Sequence, residues 1–168
     1  MGKLSDYDGV FFAKSRSKTM SERDKKNVDG CAIFYRKSKF QMLEVHNLEF
    51  NQLCISRPDF RKTDDMYNRV MTKDNVAIIA RLETKEPLEA LNGEKGTLLV
   101  GNVHIHWDPM HKDVKLVQSA ILLEELEKHY RNYPNASIVL CGDFNSMPGS
   151  GVYDFINQGS LGREGGSM

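Results

Sequence analysis

The sequence predicts an α/β or α+β fold in which a mostly β framework carries two helices packed on sheet. Three observations support this. Short apolar or alternating runs recur at 31–35, 42–50, 76–82, 97–106 and 136–141, one long amphipathic run separates the last two, and turn residues fill the gaps.

Residues 13–27 have no apolar periodicity and read as an exposed basic loop. A solvated surface is the favoured reading, and a phosphate-binding loop is the alternative. Cys31-Ala32-Ile33-Phe34-Tyr35 follows the turn signal Asp29-Gly30 and reads as a strand. A second strand is expected from Met42 to Phe50, where Leu43, Val45 and, less regularly, Leu48 alternate with polar residues. Residues 56–74 are polar and contain Pro58, which predicts a long connection with one short helix. The near-continuous apolar run Val76 to Leu82 suits a buried strand. A polar, hairpin-like link with the turn signal Asn92-Gly93 leads to the next strand, Thr97 to His106. Asp113 reads as the N-cap of a helix running to about Asn132, stopped by Pro134. Val114, Val117 and Ile121 form one apolar row on it, with Leu116, Ala120 and Leu123 beside them. Ala136 to Cys141 reads as a short buried strand, and a final helix from about Ser150 to Asn157 has Gly159 as its C-cap. The expected organisation is one domain or part of a larger one, 1–159, followed by a disordered tail, 160–168.

The chain has 168 residues, 40% of them hydrophobic and 27% charged, with a mean hydropathy of -0.49. No apolar run approaches the roughly 20 residues a bilayer span needs, so no membrane partner is expected. The net charge of zero argues against a nucleic-acid partner only until its distribution is read. Residues 1–40 hold ten Lys and Arg against five Asp and Glu, whereas the remainder holds thirteen against eighteen. Cys31, Cys54 and Cys141 are widely spaced and form no ligand pair, which points to a reducing compartment. The first residues lack the apolar segment of a signal peptide, and the expected location is the cytoplasm and nucleus.

Two strand ends carry polar residues that a purely structural strand does not need. In Asn102-Val103-His104-Ile105-His106-Trp107-Asp108-Pro109, alternation puts His104 and His106 on one face, as hydrogen-bonded histidines or as ligands. In Leu140-Cys141-Gly142-Asp143-Phe144-Asn145-Ser146, an apolar strand runs into a carboxylate and a carboxamide. Ligands of open α/β sheets sit outside such carboxyl ends. An oxygen pair of this kind can hold a hard cation or orient a water, but the same residues also suit an Asx turn.

Together with Val28 to Phe34, Lys14 to Glu22, Asn68 to Asn75 and Asp113-Val114-Lys115, these segments resemble the carbon catabolite repressor group of poly(A) deadenylases. This group belongs to the DNase-I-like endonuclease/exonuclease/phosphatase superfamily. The resemblance runs from about Tyr7 to about Gly159. It implies a two-sheet β-sandwich flanked by helices, of which these residues are the middle part.

The resemblance also implies Mg2+-dependent 3′→5′ removal of poly(A) with release of 5′-AMP. In that chemistry Asp143 orients or deprotonates the attacking water and is a metal-ligand candidate. Asn145 positions the water and the scissile phosphate, and His104 hydrogen-bonds the phosphate. Pro109 packs against an adenine, Asp24 is an acidic substrate contact, and Lys14, Arg16 and Lys18 touch the RNA backbone. The implied partners are poly(A) RNA and, through other regions, the scaffold and second nuclease subunit of the deadenylase complex. The group's metal-binding glutamate and its Ser-Asp-His motif have no counterpart in these residues, so the chain alone is expected to be inactive. A superfamily phosphatase acting on inositol phosphates or nucleotide cofactors is the alternative.

Overall fold

The computed structural model describes residues 5–159, so the expected tail at 160–168 lies outside the described residues. Strands β1 (Tyr7–Ala13) and β2 (Gly30–Arg36) pair antiparallel as one small sheet. A second sheet has the order β3 (Phe40–Glu49), β4 (Val76–Thr84), β5 (Thr97–His104), β6 (Ser137–Asp143). Its first three strands are antiparallel, and β6 runs parallel to β5 after a helical crossover. The helices are α1 (Glu22–Lys25), α2 (Phe50–Ser56), α3 (Asp64–Met66), α4 (Lys112–Asn132) and α5 (Gly151–Gln158).

β4 explains the layering. Val76, Ile78 and Ala80 pack with Cys31 and Ile33 between the two sheets. Ala77 and Ile79 point the other way, onto a cluster with Phe50, Ile121 and Leu122 from α2 and α4. A strand buried on both faces has to be apolar at every position, as the sequence run indicates. Each fully buried isoleucine contributes about 1.5–3 kcal/mol. The result is a two-sheet sandwich with helices on the outer face of the larger sheet, which is the expected architecture.

β3 departs from simple alternation, and a bulge is the cause. Met42 pairs with Leu82 but Glu44 pairs with Arg81, so Leu43 is an extra residue in the strand. Met42 therefore faces the space between the sheets, whereas Leu48 joins the helix-side core. Glu44 and His46 share Leu48's parity and turn toward α4, while Leu43 and Val45 stay exposed at 36% each.

Other elements also differ from the sequence expectation. β1 and α2 were not anticipated, and α2 takes over the Phe50 end of the expected strand. β5 ends at His104, two residues early. The residue that caps α4 is His111, because Asp113 lies inside the helix and accepts two 2.8 Å bonds from the Arg69 guanidinium. The buried stripe of α4 runs through Val114, Gln118, Ile121, Leu122 and Leu126, leaving Leu116, Ala120 and Leu123 half-buried. β6 is an exposed edge strand rather than a buried one, with Ile138 and Val139 at 45% and 44% exposure. The expected C-terminal helix matches: Ser150 caps α5 through the Tyr153 N–H, and Gly159 ends it at φ 68°.

Candidate active site

The site forms where β5 and β6 end side by side. Parallel pairing sets His104 opposite Asp143, and the Ile105 N–H donates to the Asp143 carbonyl at 2.9 Å. The register depends on Gly142, whose φ is +131°; a Cβ there would sit 2.0 Å from the Val103 carbonyl oxygen. Only glycine allows so close an approach. Beyond Asp143 the chain turns, with Asn145 at φ 44°, in the left-handed region that asparagine tolerates.

The Asn145 N–H donates to Asp143 Oδ1 at 2.7 Å, forming the Asx turn that the sequence left open as one reading. Asn145 Nδ2 donates to the Ile105 carbonyl at 2.9 Å, and the buried Lys115 ammonium donates to the Asn145 carbonyl at 2.7 Å. Asp143 and Asn145 are thus joined to each other and to the β5 end, with the Asp143 carboxylate exposed. Phe144 points back into the helix-side core, as alternation requires.

A buried polar network supports this turn from behind. Asn75 Nδ2 donates to the His104 carbonyl at 2.9 Å, and its Oδ1 accepts from Gln118 Nε2 at 3.2 Å. Gln118 Oε1 in turn accepts from the His106 N–H at 2.9 Å. Gln118 is fully buried and Asn75 nearly so. Reading the sequence for function missed both residues. The available signal was a glutamine in the middle of an otherwise apolar helix stripe.

On the solvent side, His104 Nδ1 lies 3.7 Å from Asp29 Oδ2. Lys14 and Arg16 each approach the same Asp29 carboxylate at 2.6 Å, and Arg16 also bonds Asp74 at 2.5 Å. Burial pushes the Asp29 carboxyl up, but Lys14 and Arg16 outweigh this and hold it below the ordinary range. Lys18 pairs with Glu49. All three cations expected to touch RNA are therefore already ion-paired within the protein.

The remaining candidates stand apart from the Asp143–Asn145 turn. Asp24 lies on the exposed α1, where its carboxylate accepts from the Ser21 hydroxyl at 2.6 Å as part of a local helix cap. Pro109 sits in an exposed turn beside Trp107 and Met110, which are 69% and 80% exposed. His106 does not share an open face with His104. The strand ends between them, and His106 turns into the protein, edge-on to His111 at 5.2 Å. Burial, then the nearby Lys73 and His111, lower its pKa.

Asp143 gives the described residues one carboxylate at this turn. Neither cluster of three ligating side chains among them, Glu44–His46–His129 or His106–Asp108–His111, includes it. Mg2+ prefers oxygen ligands and imidazole-containing sets suit other metals, so these residues do not form a Mg2+ site by themselves.

No family model matches the chain. Among named proteins, the CCR4-Not complex 3′-5′-exoribonuclease subunit Ccr4 of Mycosarcoma maydis is 47% identical over 93% of this chain. That of Schizosaccharomyces pombe is 44% identical over 94%. The chain belongs to the Ccr4 family. It spans about a quarter of the length of these relatives, 26% and 25% respectively. Among solved structures, ANGEL2, a 2′,3′-cyclic phosphatase, superposes with a TM-score of 0.67 at 32% identity, over 95% of this chain and 38% of that one. The human Nocturnin catalytic domain gives 0.61 at 23% identity, over 90% and 47%, which supports the shared fold. The Ccr4-family chain thus has the sandwich of the endonuclease/exonuclease/phosphatase superfamily, with its β5 and β6 ends forming the polar corner described above.

Proposed function

We propose that this chain is part of a Mg2+-dependent 3′→5′ exoribonuclease that shortens poly(A) and releases 5′-AMP. The in-register pairing of His104 with Asp143 carries the reading, because it joins a hydrogen-bond donor to a carboxylate at one strand-end corner. In this reading Asp143 orients or deprotonates the attacking water, and Asn145 positions the water and the scissile phosphate. His104 donates toward the phosphate as charge develops on it. Pro109 packs on an adenine beside the exposed Trp107, and Asp24 contacts substrate further along the strand. Bound Mg2+ would polarise the phosphate, with Asp143 as the ligand this chain contributes.

The proposed partners are poly(A) RNA and the scaffold and second nuclease subunit of the CCR4-Not complex, and the proposed location is the cytoplasm and nucleus. Asp143 belongs to neither cluster of three ligating side chains among the described residues, and the 168 residues alone are proposed to be inactive.

The likeness to ANGEL2 favours one second reading, a phosphatase acting on a 2′,3′-cyclic phosphate end. Labelled oligo(A) with a free 3′-hydroxyl and the same RNA with a cyclic end, incubated with Mg2+ and the sequence in its full-length parent, separate the two. The nuclease reading expects a ladder of AMP release that Asp143→Ala abolishes. Phosphate release from the cyclic end without shortening would overturn it. AMP release by the 168-residue chain, lost in Asp143→Ala, would overturn the proposed inactivity.

A further inference from the structure

We propose that Glu44, His46 and His129 form a zinc site that ties β3 to α4, remote from the corner that carries Asp143. The bulge at Leu43 puts Glu44 and His46, two residues apart on β3, on the face that meets the helix. There the His46 and His129 rings stack with centroids 3.9 Å apart and planes 37° from parallel. One ligand atom from each of the three residues lies within 4.8 Å of the other two.

Three features favour a metal over an ordinary polar contact. His46 Nε2 is buried and has no hydrogen-bond partner, a cost that a structural histidine would normally avoid. It lies 3.6 Å from Glu44 Oε2. Ligands about 2.1 Å from a tetrahedral zinc are about 3.4 Å apart, so this pair needs little adjustment. Glu44 is also oriented from behind. Arg81 and the Tyr133 hydroxyl both donate to its Oε1 at 2.6 Å, leaving Oε2 to face the histidines. Arg81 is itself held over the Tyr133 ring, 4.2 Å from its centroid. Metal-binding carboxylates are commonly fixed by outer partners in this way.

Two imidazoles and one carboxylate match zinc rather than a hard, oxygen-seeking cation. The fourth position is left to water. Zinc would then link the bulged edge strand to the last turns of α4.

The test titrates ZnCl2 into the metal-stripped 168-residue chain by calorimetry, with Co2+ absorption as a second readout. The native chain is expected to bind one zinc at this site and to give the intense visible bands of tetrahedral Co2+. His46→Asn and His129→Asn are each expected to weaken that binding by about 100-fold or more, since even outer-partner changes cost 10–100-fold. Glu44→Gln, which keeps the side-chain shape but removes the charged ligand oxygen, is expected to weaken the binding as well, and circular dichroism without metal checks that all three variants fold. His111→Ala, in the other cluster, is expected to leave this binding unchanged. Absence of zinc binding by the native chain at micromolar metal would overturn the proposal. So would binding that survives both histidine changes, or binding that His111→Ala alone removes.

Discussion

Replacing Gln118 with methionine tests how the active-site corner is held. The side chain is fully buried and makes two hydrogen bonds, accepting from the His106 N–H at 2.9 Å and donating to Asn75 Oδ1 at 3.2 Å. Methionine has nearly the same length and volume, so the cavity contribution is small. What remains is two buried partners left unpaired, each costing about 1–3 kcal/mol, or about 2–6 kcal/mol together. Domains are stable by only about 5–15 kcal/mol, so this is a large fraction. Urea unfolding at neutral pH reads it as a lowered midpoint with an unchanged slope. Asn75 also holds the His104 carbonyl, so Asn75→Ala and Gln118→Met should be non-additive by at least about 0.5 kcal/mol in a double-mutant cycle. A loss below about 1 kcal/mol, or simple additivity, would refute the idea that this network supports the corner.

Further outcomes are expected elsewhere. Hydrogen bonds from Arg81 and then Tyr133 hold the Glu44 carboxyl at about 2 against an ordinary 4.5, so its stabilising effect is present above 4.5 and fades as pH falls toward 2. Glu44→Gln should therefore lower stability at pH 7 by roughly 1–2 kcal/mol after allowance for solvent screening, with the gap to native closing between those pH values in thermal melts. Gly142→Ala should break the β5–β6 register, because its Cβ would meet the Val103 carbonyl oxygen at 2.0 Å; soluble protein with native circular dichroism and stability would contradict this. Asp29→Asn removes the shared partner of Lys14 and Arg16 at an exposed position, at a cost of no more than about 1 kcal/mol. Filter binding should then show tighter oligo(A) binding, with a salt slope steeper by about 0.7 for each phosphate newly engaged.

The sequence made the strands with strong local patterns legible. β4 is apolar at nearly every position because both its faces are covered, and the Gly-Asp-Phe-Asn strand end pointed directly to the corner at Asp143. The illegible features all depended on the tertiary setting. Nothing local marks Leu43 as a bulge: Leu43 and Val45 alternate with polar residues in the sequence, yet both stay exposed once the register shifts. Asp113 has the chemistry of a cap, but a guanidinium 44 residues away in sequence captured it. β6 looked buried because its residues are apolar, and its place at the sheet edge is a matter of strand order, which composition does not encode. Asp24 and Pro109 rest on motif resemblance alone, since neither side chain is drawn to the corner by a local pattern.

That strand order also divides the site by local stability. His104 ends a strand bonded on both sides, whereas Asp143 ends one that, among the described residues, pairs only with β5. Pairing at an edge opens at lower free energy than pairing inside a sheet, and here it closes a crossover of more than 30 residues. In hydrogen exchange, amides of β6 should exchange ahead of those of β5. On that expectation the carboxylate side of the corner opens more readily than the imidazole side, and anything that pins β6, such as a neighbouring strand or a bound phosphate, would also set the distance between them.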